Sequence, residues 1–186
     1  MPPDFRHIYK ANDAAVYAWS AEVSMHGLTI NGKLTEKVAK VEGDNASLEW
    51  SISDVDNSPI QFNPSLAGVS KGGLLDALEP GIEFEVYKVF NLANLLPEKA
   101  LEEGKPLEVN LKNDHMEIKG KFTAATIDPK THDATVEGTF DVANDSETIT
   151  YTVKSVFDST THRLMKSDIS YEMRNGKIVF KIGLAK

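Results

Sequence analysis

Between residues 114 and 184 the chain alternates apolar or small side chains with polar ones in one run after another. Met116, Ile118, Gly120, Phe122 and Ala124 interleave with Glu117, Lys119, Lys121 and Thr123. The same period returns in Ala134 to Val142, Ile149 to Phe157, Met165 to Met173 and Ile178 to Leu184. A period of two sends successive side chains to opposite faces of a sheet. Five consecutive antiparallel strands are therefore expected here. This feature constrains the architecture and leaves the chemistry open. Within it, Met116-x-Ile118-x-Gly120-x-Phe122-x-Ala124 echoes Ala134-x-Val136-x-Gly138-x-Phe140-x-Val142. A hairpin centred on Pro129 would set Gly120 against Gly138, Phe122 against Val136 and Ile118 against Phe140. Two facing glycines would let the sheet bend.

The N-terminal half gives a mixed pattern. Phe5 to Lys10, Val16 to Leu28, Lys33 to Val41 and Ala46 to Val55 read as strands. Asn31-Gly32 has the composition of a type I′ hairpin turn, and Glu42-Gly43-Asp44-Asn45 reads as another turn. Leu66, Val69, Leu74, Leu75 and Leu78 fall near helical spacing behind Ser65, a plausible N-cap, although Gly68, Gly72 and Gly73 oppose a helix. Ile82 to Asn91 reads as a strand, 97–103 as one or two helical turns between Pro97 and Gly104, and Leu107 to Leu111 as a short strand. The expected fold is mainly β. It is a curved antiparallel sheet or open half-barrel of about nine to eleven strands in meander order. Short helices at 65–79 and 97–103 would lie on its concave face, and residues 1–186 would form a single domain.

The chain has 186 residues and no cysteine, which removes disulfides, thiolate metal sites and cysteine nucleophiles. A net charge of −8 argues against nucleic acid and against anionic lipid surfaces as partners. No stretch approaches the ~20 apolar residues of a helical membrane span. Met1-Pro2-Pro3-Asp4-Phe5-Arg6 lacks a signal-peptide core. The expectation is a periplasmic or secreted protein shown without its leader, or a cytoplasmic one.

Motifs that carry chemistry are incomplete. Gly27 to Leu34 approaches a phosphate-binding loop, but Leu34 stands where that loop needs Ser or Thr, and strand follows where helix is required. Asp54-x-Asp56-x-Ser58 opens like a calcium loop, but Pro59 and Ser65 occupy the required Gly and Glu positions. Asp128, His132 and Asp133 share one loop and read as turn chemistry. His7, His26, His115, His132 and His162 show no ligand spacing, and Ser51, Ser70 and Ser155 lack a nucleophile elbow. Glu83, Glu85 and Asp141 are candidate acids that sequence alone does not bring together. No metal and no cofactor are expected. Trp19, Trp50, Tyr17, Tyr87, Phe84 and Phe90 read as core, or as a pocket lining with Met116, Met165 and Met173.

Leu96-Pro97-Glu98-Lys99, then Gly104 and Glu108-Val109, with Phe157-Asp158 and Leu164 near the end, resemble a family of uncharacterised bacterial exported β-proteins (a domain of unknown function). Ala100, Lys105 and Leu107 depart from that family's proline, aspartate and tryptophan, and His162-Arg163 stands where a glycine is usual. The resemblance implies no catalytic residues. The architecture is similar to the half-barrel of periplasmic lipoprotein carriers. The expected function is a non-enzymatic exported binding or carrier domain. An apolar small molecule, a lipid or a partner's apolar segment would lie beneath a lid of Leu66, Val69, Leu74, Leu75 and Leu78, against Trp19 and Trp50. A structural or protein–protein interaction module is the first alternative. A hydrolase-like enzyme using carboxylates or His in the mouth of the sheet is the second. The oligomeric state is left open.

Overall fold

The computed structural model describes residues 8–43, 45–57, 65–71, 74–76, 83–97, 101, 105–112, 117–143, 147–158, 160–174 and 176–185; for residues 45, 65–71, 74–76, 83 and 84 the backbone alone is described. The strands are β1 (Ala14–Val23), β2 (Leu28–Glu42), β3 (Asn45–Asp56), β4 (Ser65–Lys71), β5 (Leu74–Asp76), β6 (Leu107–Lys112), β7 (Glu117–Ile127), β8 (Ala134–Ala143), β9 (Thr148–Phe157), β10 (Leu164–Met173) and β11 (Gly176–Leu184). One helix, α1 (Glu83–Ala93), separates β5 from β6, and a 3-10 turn (Ser24–His26) joins β1 to β2. All eleven strands form one antiparallel sheet in the order β5-β4-β3-β2-β1-β11-β10-β9-β8-β7-β6. Two meanders meet where β1 and β11 pair, Trp19 opposite Ile182 and Ala21 opposite Phe180. The sheet does not close, and β5 and β6 are its edges.

Alternation decides which face is buried. Tyr17, Trp19 and Ala21 on β1, Val136 and Phe140 on β8, Tyr151 and Val153 on β9 and Ile169 and Tyr171 on β10 all point to one side and are buried. Against this face lies α1. Every residue from Val86 to Ala93 is buried, Lys88 and Asn91 included. A helix buried on all sides must be surrounded. Phe90 packs edge-on against Tyr17 of β1 at 4.9 Å and Trp50 of β3 at 5.0 Å, while the carbonyl of Ala93 accepts a hydrogen bond from Ser155 of β9. β3 and β9 lie five strand spacings apart in the sheet, about 24 Å if the sheet were flat, whereas a helix with its side chains is about 10–12 Å across. One helix reaches both only because the sheet wraps around it.

The helix carries polar groups into this interior, and Glu85, Lys88 and the Ala93 carbonyl have partners there. The Ser155 hydroxyl donates to the Ala93 carbonyl at 2.8 Å and shares a hydrogen bond with the Ser167 hydroxyl at 2.8 Å, so two inward serines satisfy one of the carbonyls left open at the helix C-terminus. Lys88 lies 2.7 Å from Glu85, one turn away, with its ammonium 5.4 Å from the centre of the Tyr151 ring. The Tyr151 hydroxyl donates to the same carboxylate at 3.0 Å. Burial, followed by the Glu85 charge, holds the Tyr151 and Tyr171 phenols well above the usual tyrosine range.

The mainly β, open, antiparallel meander agrees with expectation, as do the five C-terminal strands. Several local expectations are corrected. The segment expected as helix at 65–79 contains β4 and β5, which pair antiparallel with Lys71 opposite Leu74. Gly72-Gly73 is a hairpin signal that outweighed the leucine spacing. The segment expected as a strand, Ile82 to Asn91, is largely α1. Its β-branched and aromatic residues favour strand locally, but burial on every side overrides propensity and erases a one-sided apolar stripe. Of the helical turns expected at 97–103, the described Pro97 and Leu101 are irregular, and 98–100 and 102–104 lie outside the described residues. Of the expected strand Phe5 to Lys10, residues 8–10 are irregular and 5–7 lie outside.

Asn31-Gly32 is not a turn but part of β2. A Cβ on Gly32 would sit 2.5 Å from the Trp19 ring, so this glycine makes room for an indole lying across the strand. The Gly120 and Gly138 pairing is also corrected. The register sets Gly120 against Phe140 and Phe122 against Gly138, with an irregularity between Phe122 and Ala124. Each glycine faces a phenylalanine, and the two rings meet edge-on at 5.2 Å. A Cβ at Gly120 would overlap the Thr139 carbonyl oxygen and sit 2.7 Å from the Phe140 Cα. Met165 and Met173 are exposed, so neither lines the interior, and Met116 lies outside the described residues.

Two expectations follow. Gly120→Ala should cost about 1–3 kcal/mol, because the colliding atoms are backbone and cannot rotate away. Phe90→Ala should cost about 3–5 kcal/mol, because it empties the contact that ties α1 to β1 and β3 at once. Urea unfolding midpoints measure both, and native-like midpoints would contradict the packing described.

Candidate functional site

The two meanders leave a cavity of about 190 Å³ at one end of the sheet, beyond the C-terminus of α1. Its walls come from the segment Ile8 to Asp13, from Tyr17 on β1, Glu36 and Val38 on β2, Asn94 after α1, and residues 160–164 leading into β10. Ile8, Val38 and Leu164 supply apolar surface, and Asp13, Tyr17, Glu36 and Arg163 supply polar groups. Backbone hydrogen bonds from Asn12 N to the Val38 carbonyl (2.8 Å) and from Val38 N to the Asp13 carbonyl (2.8 Å) fasten the N-terminal segment beside β2.

Glu36 is the unusual member. In β2 the inward positions run Leu34, Glu36, Val38, so a carboxylate occupies a core phase between two buried apolar residues. Trp50 lies directly across on β3, and its indole N–H donates to Glu36 Oε2 at 2.9 Å. Burial pushes the Glu36 carboxyl above its ordinary value, and this hydrogen bond and the Arg163 guanidinium oppose the rise. The same burial, and the Glu36 charge beside it, keep the Tyr17 phenol protonated far above the usual tyrosine range.

Arg163 is delivered by a shaped turn. Asp158 Oδ1 accepts the backbone N–H groups of Thr160 (3.0 Å) and Thr161 (2.7 Å), and the His162 N–H returns to the Asp158 carbonyl at 2.7 Å with His162 at φ 53°. Arg163 then reaches Asp13 at 2.9 Å, tying the β9–β10 hairpin to the start of β1. The β7–β8 hairpin repeats the device. Asp128 Oδ1 accepts from Lys130 N (2.7 Å) and Thr131 N (3.0 Å), and His132 has φ 62°. These backbone donors hold Asp128 and Asp158 below the usual carboxylate range. The shared Asp-x-x-Thr-His pattern at 128–132 and 158–162 is visible in the sequence, though the strand alternation on either side draws attention away from it.

The residues expected to bind ligand fall elsewhere. Trp19 and Trp50 are buried core, Trp50 stacked on Tyr87 at 5.9 Å. Leu66 and Val69 belong to β4 and Leu74 and Leu75 to the edge strand β5, and Leu78 lies outside the described residues. Asp54 pairs with Lys33 at 2.7 Å and Asp56 accepts two hydrogen bonds from Asn31 at 3.0 Å each, so neither is left for a cation loop. Asp141 accepts from Thr150 on the outer face, and Glu85 belongs to the α1 anchor. Among the described residues no three His, Asp or Glu side chains converge as a metal site, and no helix is long and apolar enough to cross a membrane. Glu36 had a sequence signal that went unread: an acid in the inward phase of an otherwise apolar strand.

A carboxyl whose folded pKa lies above its ordinary 4.5 is held more protonated in the native state than in the unfolded chain. Its contribution is therefore most favourable at low pH and is lost as pH rises through the folded value. Glu36→Gln should melt above the native protein at about pH 7.5, and the two should converge near pH 4. A variant less stable at the higher pH would show that the charged form is the favoured one. Compared with protein-family models, curated proteins and solved structures, the chain matches none.

Proposed function

We propose that this protein is a non-enzymatic binding domain whose ligand enters the end cavity beside Glu36, and that the ligand is a small cation with an apolar body or a partner's short segment of that chemistry. The carrier reading supposed an apolar ligand on the concave face. That surface is covered by the protein's own α1, and a cavity lies beyond the helix end. About 190 Å³ is below the ~300–1,000 Å³ typical of drug-sized sites, so the reading takes a small group rather than a lipid chain.

The observation that carries the proposal is the inward carboxylate of Glu36 at an apolar wall. Arg163, the nearest guanidinium, is engaged by Asp13. A bound ammonium would add a counter-charge at Glu36 beyond that of the Arg163 guanidinium, in a cavity that Lys10 also lines, while Ile8, Val38 and Leu164 cover the alkyl part. Asp13 is held by Arg163 and Glu36 by the Trp50 indole, which supports a binding role over proton transfer for both carboxylates. Placement of the protein outside the cytoplasm belongs to the same proposal and rests on the resemblance of the 96–109 and 157–164 segments to exported β-proteins.

Hexylammonium and hexanoate serve as probes, followed by titration calorimetry and by the NMR signal of the Trp50 indole N–H. Hexylammonium should bind and shift that signal. Binding should strengthen as pH rises through the Glu36 titration, and Glu36→Gln should weaken it at least about tenfold, the equivalent of ~1.4 kcal/mol. Equal binding of hexanoate, or hexylammonium binding indifferent to Glu36→Gln, would sink the reading.

A further inference from the structure

The open sheet has two edges of different character. β5 is three residues long, and a short edge strand offers little to pair with. β6 is six residues long, pairs with β7 in unbroken register, and contains no proline and no charge in its inward phase. Among the described residues no strand lies on its outer side. Leu107, Val109 and Leu111 are inward and only half-buried, opposite Phe122, Gly120 and Ile118, whereas Glu108, Asn110 and Lys112 are outward and exposed. Within the described residues this edge is not shortened, bulged or interrupted by proline and carries no inward charge; its charged side chains, Glu108 and Lys112, stand on the outward face.

We infer that a second copy of this chain pairs on this edge, the two β6 strands running antiparallel about a two-fold axis at Asn110. Directly opposed residues in an antiparallel pair share a face. With Asn110 at the axis, Glu108 stands opposite Lys112 of the partner subunit, and Lys112 opposite Glu108 of the partner subunit. On the inward face Val109 meets Leu111 of the partner subunit, and the reverse, extending the apolar surface that each copy leaves half-buried. Moving the axis to Val109 or Leu111 loses both charge pairs, and a one-residue slip sets apolar side chains against the polar face. The strand is therefore its own complement, which is what an isologous interface requires. It also carries one acid and one base, so it is electrically balanced within a chain of net charge −8.

Sedimentation of the full chain across about 1–100 µM should show a reversible dimer, within the range of weak, transient association. Glu108→Lys alone sets like charges opposite each other twice, as does Lys112→Glu alone, and each should weaken the dimer about tenfold. The double variant, Glu108→Lys with Lys112→Glu, should restore it. Both side chains are exposed, and melting curves close to the native one establish that the variants fold. A monomer throughout the range overturns the inference. So does a dimer unmoved by the single exchanges, or one that the double exchange leaves weak.

Discussion

Burial of α1 is the constraint on which the rest of the structure depends. A single-layer sheet has one apolar face and nothing of its own to cover it. Here one helix of eleven residues provides the cover, and the sheet curls until strands from β3 to β9 reach it. Phe90 and Leu92 are almost completely enclosed, and each such side chain contributes about 1.5–3 kcal/mol. Summed over the helix, this is comparable with the whole stability of a domain, about 5–15 kcal/mol. The curvature is thus an energetic consequence of the helix rather than an independent property of the strands.

A fully enclosed helix must bring its polar groups with it, and the strands opposite are written accordingly. Ser155 and Ser167 occupy inward positions where aliphatic side chains would pack better, and they meet the helix C-terminus. Tyr151 reaches the Glu85 carboxylate that also holds Lys88. These pairs add little net stability, because desolvation offsets much of each attraction. Their effect is on specificity. They set the helix's rotation and depth, since any other placement strands a buried charge. The interior is then filled along the length of α1, and the space beyond its end becomes the place where a ligand would meet Glu36.

Much of the sheet was legible because alternation is a local property. The runs from Met116 to Leu184 record which side chains face inward, and the structure keeps those strands. Register was less legible. A one-to-one hairpin about Pro129 set glycine against glycine, but the hairpin is centred between Lys130 and Thr131, and with the one-residue irregularity between Phe122 and Ala124 each glycine falls opposite a phenylalanine. Nothing within either strand announces that shift. The helix was illegible for a related reason. Glu83 to Ala93 has strand-forming residues and no polar face, so local pattern argued for the wrong element. The leucines of 66–78 imitate helical spacing, yet the residues lie in β4 and β5. The cavity escaped because its parts, Asp13, Glu36, Asn94 and Arg163, are scattered along the chain.

The sequence by itself determined the antiparallel class, most of the inward and outward sets of the C-terminal strands and the absence of thiol chemistry. Each of these follows from residue type or from a period of two, and neither needs a distant partner to be read. Only the tertiary structure decided that 83–93 is a helix, that the sheet closes around it without joining its edges, and that an acid from β2 shares a cavity with an arginine from the β9–β10 hairpin. These outcomes depend on contacts between residues far apart in sequence. Burial in a shared core outweighs the propensity of any one segment, and it is a property of the whole chain.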